Sequence, residues 1–311
     1  MHFAPAGPVG ELEGRVLNVT DKLRAFLKSH PKARAALIAL AAVAVLLFVL
    51  HPRGTRTYLV LGMDNYGSLE ETGRSDVMML VQIDFTHSRV YAATFARDMM
   101  VENENGRDVK INTIVRNQDE QALVDAIERN FGVKADGWFR VNFTSVIELV
   151  DALGGAEVEL TAEEVRYLNR YAGIYPDNPL SEGVCRLNGG QALAYARCRK
   201  LDNDFGRGAR QSKLLEALVA QTRRLSIAKI TGVYNSLKHA WRSSLSAADQ
   251  VSLLARAIWL RGADVVRIGV PFEGTYRYGG DAGVVAKLDV NREMLLAALG
   301  RGPAPQTQTQ E

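Results

Sequence analysis

The feature that most constrains this chain is Ala35–Leu50, sixteen consecutive residues without a polar side chain. As a helix it spans about 24 Å, and Arg34 and Arg53 reach outward to bridge the rest of a ~30 Å hydrocarbon layer. A buried core helix would carry a polar stripe, and this run has none. A cleaved leader would be followed by small residues, whereas His51-Pro52-Arg53 follow here. The run therefore reads as a single membrane-spanning helix, residues 35–50. Six basic residues precede it (Arg15, Lys22, Arg24, Lys28, Lys32, Arg34), and only Arg53 and Arg56 follow closely. That asymmetry places the N-terminus in the cytoplasm and everything after residue 51 outside the cell membrane. Within residues 1–34, Leu12, Val16, Val19, Leu23 and Phe26 fall at amphipathic spacing, as in a helix lying on the inner leaflet or in a plain connector.

Of the 38 basic and 35 acidic side chains, six and three lie in residues 1–34, so the whole excess of +3 sits on the cytoplasmic arm. The neutral remainder has no electrostatic footprint for a phosphate backbone, and nucleic acid is not expected as a partner. With 47% apolar and 23% charged residues over 311 positions, the chain buries a full core. Two cysteines are too few for a disulfide-built scaffold or a four-thiolate zinc site.

Hydrophobic periodicity divides the rest. Residues 51–56, with Pro52 and Gly54, form a linker. Apolar, β-rich runs predict strands over 57–63, 77–84, 89–95, 139–143, 156–160 and 263–270. Helical spacing predicts helices over 118–131, 144–153, 188–196, 208–225, all of 227–261, and 290–299. Gly154-Gly155 stops the second of these. The alternation predicts one α/β domain over 57–300, with a central sheet covered on both faces. The Pro/Gln/Thr-rich tail, 301–311, is expected to be disordered.

None of the five histidines (His2, His30, His51, His87, His239) stands in a GxSxG, HExxH or CxxC context, so a hydrolytic triad is not expected. What remains is a set of carboxylates and arginines at strand ends. Asp64 directly follows the first strand, Arg74-Ser75-Asp76 precedes the second, Arg97-Asp98 follows the third, and Lys110 comes soon after. A dense group then follows: Arg197, Arg199, Lys200, Asp204, Arg207, Arg210 and Gln211. Strand ends on one side of an α/β sheet point into a shared crevice. Two carboxylates there, with several guanidinium groups, suit a divalent cation bridging a pyrophosphate. The bland reading of any single Arg–Asp pair is a solvated ion pair. Arg197 and Arg199, however, alternate along a stretch read as extended, so both point one way and call for an anion between them.

These residues resemble the LytR-CpsA-Psr family of Gram-positive envelopes. The resemblance is carried by LVLGMDN, GRSDVMML, FARDMMV, KIN, VNFTSVIELVDALGG and LNGGQALAYARCRKLDNDFGRGARQ. It covers about residues 57–300, beneath a single N-terminal span. It implies an α/β/α sandwich with a central mixed β-sheet. It also implies a phosphotransferase that moves a glycopolymer, such as teichoic acid or capsular polysaccharide, from a polyprenyl-pyrophosphate carrier onto peptidoglycan, releasing polyprenyl phosphate. By the resemblance Asp64 and Asp76 hold Mg2+ (or Mn2+). Arg97, Arg197, Arg199 and Arg207 hold the pyrophosphate, with Arg74, Lys110 and Gln211 lining the same site and Asp204 and Arg210 behind them. The prenyl chain lies in an apolar pocket between sheet and helices. The chain departs from the family where Tyr66 replaces a frequent arginine, Ala96 a frequent proline, and Thr113 to Asp119 a glycine-containing stretch.

Without a strong protein nucleophile, the expected reaction proceeds by positioning and electrostatics, a muramic acid hydroxyl attacking the sugar-side phosphorus. Arg97 is the leading candidate for stabilising the transition state. Asp98 reads either as the base or as the group orienting Arg97. Two rival functions share these ligands: a lipid-pyrophosphate hydrolase, and a non-catalytic binder or regulator of the kind labelled a transcriptional attenuator. Cys185 and Cys198, both outside the cytoplasm, are expected to form a disulfide pinning the arginine segment; the alternative is two free thiols.

Overall fold

The computed structural model of the chain describes residues 53–70, 74–171, 179–198, 201, 204–257, 260, 262–280 and 283–302. Residues 1–34, the apolar run 35–50 expected to span the membrane, and the tail beyond 302 lie outside the described residues. Among the described residues no helix is long and apolar enough to cross a membrane.

Strands β1 (Thr55–Met63), β2 (Ser75–Asp84) and β3 (Arg89–Phe95) form an antiparallel meander. β4 (Met100–Glu102) and β5 (Asp108–Lys110) make a small hairpin, followed by a 3-10 turn and the short helix α1 (Ile114–Asn117). Helix α2 (Glu120–Phe131) starts on the Asp119 carboxylate, which accepts from the Ala122 amide. β6 (Gly137–Val141) then lies parallel to β1. Helix α3 (Phe143–Ala152) opens on a capping box of Asn142 and Ser145. β7 (Ala156–Leu160), α4 (Ala162–Tyr171) and β8 (Gly183–Leu187) follow, the two strands pairing with each other. Next come α5 (Gly189–Arg197), α6 (Asp204–Arg223), α7 (Ile227–Leu237), β9 (Arg242–Ser243) and α8 (Ala247–Ala257). The order ends with β10 (Asp264–Val270), the hairpin β11 (Tyr276–Tyr278) and β12 (Val284–Ala286), and α9 (Leu288–Ala298).

The main sheet has the order β10-β3-β2-β1-β6-β9 and is mixed, with β1–β6 and β10–β3 parallel. Side-chain alternation gives it two distinct faces. Leu59, Leu61, Met63, Met78, Leu80, Ala93 and Phe95 pack with Leu123, Ile127 and Phe131 of α2 and Leu295 of α9. Gln82 on the same face donates to the carbonyl of Leu299. A second core unites Val150 of α3, Leu168 of α4, Ala192 and Tyr195 of α5, Leu214 and Ala217 of α6, and the β7–β8 hairpin. Helix α6 meets the sheet where Thr94 of β3 hydrogen-bonds Ser212 at 3.1 Å.

The structure departs from the expected elements at several points. Residues 227–261 are not one helix: β9 interrupts them and pairs with β6, Phe139 opposite Ser243. The Ser243 and Ser244 side chains bond the Trp138 carbonyl and amide respectively. β7 belongs to a separate hairpin, not to the central sheet. Helix α5 runs through Arg197, so the arginine segment is not extended there. Gly154 and Gly155 do stop α3, with φ of 86° and 96°.

Candidate active site

Between the second face of the sheet and helices α3, α5 and α6 lies a cavity of about 370 Å3. Its wall grades from charged to apolar, and strand register explains why. In the antiparallel β1–β2 pair Met63 stands opposite Ser75, and Val60 opposite Met79. Asp64 at the end of β1 and Asp76 at the start of β2 therefore share one rim, while Val60 and Met79 lie deeper along the same wall. Helix α6 repeats the gradient: Arg207 and Gln211 come first, then Leu214, Leu215 and Leu218, the series covering about 16 Å of helix. In α3, Phe143 at the first position is followed by Val146 and Leu149.

A β-bulge aims Asp76. Gly62 pairs with Val77 and Met63 with Ser75, which leaves Asp76 as the extra residue on β2. A Cβ at Gly62 would stand 2.9 Å from the Val77 Cβ, so the close strand approach requires glycine there. Arg97 Nη1 donates to Asp76 Oδ1 at 3.2 Å. The buried Arg207 donates to the Asp76 carbonyl at 3.5 Å. Arg197 Nη2 meets Asp64 Oδ1 at 3.4 Å, its Nη1 donates to the Tyr66 hydroxyl at 3.4 Å, and its Cζ lies 3.9 Å from the Phe143 ring centroid. Two guanidinium groups thus meet the two carboxylates while a third meets the Asp76 backbone, and the N-termini of α3 and α6 add positive dipole ends. The excess is positive, as a diphosphate requires.

The end of α5 is braced from α6. Arg210 donates to the Cys198 carbonyl at 2.6 Å and Gln211 to the Ala196 carbonyl at 3.3 Å. These are carbonyls a helix end leaves without intrahelical partners. Burial pushes the phenol of Tyr195 above its usual value of 10, so this anchor of α5 stays neutral. Lys110 and Asp98 stand together beside Gly283, where an added Cβ would lie 3.3 Å from both Lys110 Cε and Asp98 Cβ. Neither lines the cavity. Asp98 Oδ1 is buried and takes no hydrogen bond among the described residues. Arg74 is exposed before β2, off the cavity wall. Arg199 lies outside the described residues, and of Asp204 only the backbone, at the start of α6, is described.

The expected disulfide is absent. Cys185 and Cys198 are free thiols; Cys185 Sγ donates to the Ser181 carbonyl, and Cys198 is buried. Cys185 lies in β8 and Cys198 follows the last residue of the nine-residue helix α5.

Asp64 and Asp76 are hard oxygen donors on adjacent strand ends. Among the described residues no three His, Cys, Asp or Glu side chains gather into a metal cage. That donor set fits Mg2+, which takes one or two carboxylates and fills its remaining positions with phosphate oxygens and water. Sequence reasoning did not assign Phe143 or Asn142 to the site. The Asn-Phe-Thr-Ser capping box was readable and places α3 at the rim. The Arg197–Phe143 stack leaves no local signal, because its partners are 54 positions apart.

The TagV teichoic acid transferase of Bacillus subtilis is 30% identical over 203 residues, covering 63% of this chain and 51% of its own. The TagU teichoic acid transferase of Halalkalibacterium halodurans is 30% identical over 226 residues, covering 70% and 69%. The chain thus spans about half the length of the first relative. The structure of B. subtilis TagT bound to LIIa-WTA superposes with a TM-score of 0.64 at 22% identity, covering 79% of this chain and 91% of that one. TagT with bound octaprenyl pyrophosphate lipid gives 0.59 at 21%, covering 79% and 90%. These likenesses show a shared fold. The LytR-CpsA-Psr family profile matches residues 20–292, all but the two ends, and the chain is a member of that family.

Proposed function

We propose that this chain is a membrane-anchored phosphotransferase that moves a glycopolymer from a polyprenyl-pyrophosphate carrier onto peptidoglycan. One observation carries the reading: a single cavity whose rim holds Asp64, Asp76, Arg197 and Arg207 and whose depth is Val60, Met79, Leu214 and Leu218. A charged head and a long apolar tail in one ligand match that gradient. The names of the TagV and TagU relatives, both teichoic acid transferases, and the TagT complex with a prenyl pyrophosphate lipid support it. The apolar run 35–50 anchors the chain with its N-terminus in the cytoplasm and the catalytic residues outside.

In this reading Arg197 and Arg207 take the diphosphate oxygens, and Arg97, held by Asp76, meets charge developing on the bridging oxygen. The acceptor hydroxyl oxygen forms a bond to the sugar-side phosphorus. The bond from that phosphorus to the bridging oxygen breaks, and polyprenyl phosphate leaves with the electron pair. The hydroxyl proton leaves to solvent at the open rim, and Asp98, buried off the cavity wall, is not its acceptor. Asp64 and Asp76 would hold Mg2+, which when bound neutralises diphosphate charge.

The test incubates the full chain in detergent with a prenyl-pyrophosphoryl glycan, Mg2+ and peptidoglycan oligomers. Glycan-linked oligomers and prenyl phosphate are expected. Free sugar phosphate alone would mean hydrolysis, and no turnover a binder. Arg97→Ala is expected to lower transfer by about 10²–10³-fold; full activity in that variant removes Arg97 from the mechanism.

A further inference from the structure

A second cavity, of about 360 Å3, opens beside the first. Asn142 and Ser145 line both. Tyr66, 62% exposed, lines the second cavity and touches Arg197 of the first through its hydroxyl. A molecule seated in the second cavity therefore lies next to the group that holds the diphosphate.

The chemistry of the two cavities differs. The first has a guanidinium-rich rim and an apolar depth. The second combines aromatic rings with balanced polar side chains. Its Trp241 is set in place, Nε1 donating to Gln250 Oε1 at 3.1 Å and the ring lying 5.9 Å from Tyr234. Tyr66 is fixed edge-on against Phe143, 5.0 Å between centroids. Glu148 faces His239 at 3.8 Å, with His239 70% exposed. Arg242 meets Glu70 at 3.2 Å. Two carboxylates, Glu70 and Glu148, against one guanidinium, Arg242, leave no positive excess, which suits neither a phosphate nor a lipid tail. Rigid ring faces take the C–H surface of a pyranose, and the carboxylates and imidazole take its hydroxyl and amide groups. The volume falls within the range of ordinary small-ligand sites.

We propose that this cavity is the acceptor subsite, taking an N-acetylated amino-sugar unit of a peptidoglycan strand and presenting its hydroxyl toward the phosphate held at Arg197. The assignment rests on the phosphotransferase reading for its reaction, but not for its binding. A lining without positive excess favours the uncharged acceptor over an anionic donor polymer.

The test uses the full chain in detergent, with chitotetraose as the probe in isothermal titration calorimetry. Glu148→Gln, isosteric and on the exposed side of α3, and His239→Ala are each expected to weaken chitotetraose binding about tenfold, the loss of one hydrogen bond to the sugar. Retention of octaprenyl pyrophosphate is expected to be unchanged. In the transfer assay the KM for peptidoglycan oligomers rises about tenfold while that for the prenyl donor holds. Absent chitotetraose binding in the unaltered chain, or binding that neither substitution affects, overturns the proposal. A shift confined to the donor KM also overturns it, because the cavity would then hold the donor's own sugar. Chitotetraose binding that these variants weaken, in a chain that catalyses no transfer, leaves the subsite standing and removes the phosphotransferase instead.

Discussion

Arg197 shows how much one side chain has to satisfy at this site. It pairs with Asp64, donates to Tyr66 and stacks on Phe143 at once. Only a planar fork meets all three demands, and an ammonium would keep the charge while losing the stack and one donor direction. Arg197→Lys is therefore expected to lower transfer about tenfold or more with little change in melting temperature. Activity equal to the unaltered chain would show that charge alone suffices. Asp76 illustrates the complementary case, where backbone geometry does the aiming. It is an ordinary aspartate that enters the cavity because a bulge displaces it from the regular strand pattern.

Among elements, the contact between α3 and α5 leaves no room for added volume at Gly189. A Cβ on Gly189 would run into the backbone of Ile147, including its carbonyl oxygen. That glycine also donates its amide to Asp151 at 2.7 Å, so it has little room to shift. Gly189→Ala is expected to cost about 1–3 kcal/mol and to lower the midpoint of thermal unfolding by several degrees. A melting curve identical to the unaltered chain would mean that α5 moves freely, contrary to the braced helix end described above. The β2–β3 turn supplies a pH-dependent term. Burial of Asp84 works to raise its pKa, but hydrogen bonds from His87 and Thr86 outweigh that and hold the carboxyl below its usual value of 3.8. A carboxyl depressed by folding stabilises the native state above its unfolded pKa, and that contribution fades as acid carries the pH down through the lower folded value. Asp84→Asn is expected to cost about 1 kcal/mol at neutral pH, with the gap to the unaltered chain closing below pH 3.8. A gap that stays constant in denaturant titrations down to pH 2 would assign the cost to packing rather than to charge.

At the scale of the molecule, the fold separates two packed cores and leaves the cavity between the sheet and the second of them. A cavity wall of Leu214, Leu215 and Leu218 gains contacts when an apolar chain fills it. The full chain extracted from membranes is expected to carry a polyprenyl lipid detectable by mass spectrometry of an organic extract. Leu215→Glu places a carboxylate against that chain and is expected to reduce the retained lipid about tenfold or more. Equal lipid in both preparations, with the variant folded by circular dichroism, would place the tail elsewhere.

The sequence by itself determined the main strands, several helices and the positions of Asp64 and Asp76 at strand ends. Continuous apolar runs and glycine stops are local signals that few alternative folds can satisfy. It also set Asp64 and Asp76 at neighbouring strand ends, whereas Arg197 and Arg207 reach the rim from helices, and Arg74, Asp98 and Lys110 stand off the cavity. Other features depended on pairings far apart in the chain. The break of 227–261 into two helices needed β6 as a partner, Arg140 opposite Arg242. The extension of α5 through Arg197 needed braces from Arg210 and Gln211. The free state of Cys185 and Cys198 was a matter of tertiary placement, and the second cavity came from the meeting of residues 66–70 with 239–242. Periodicity records which face of a segment is buried but not what buries it. Strands of two or three residues carry too few positions to show a period at all, so the tertiary structure alone decided them.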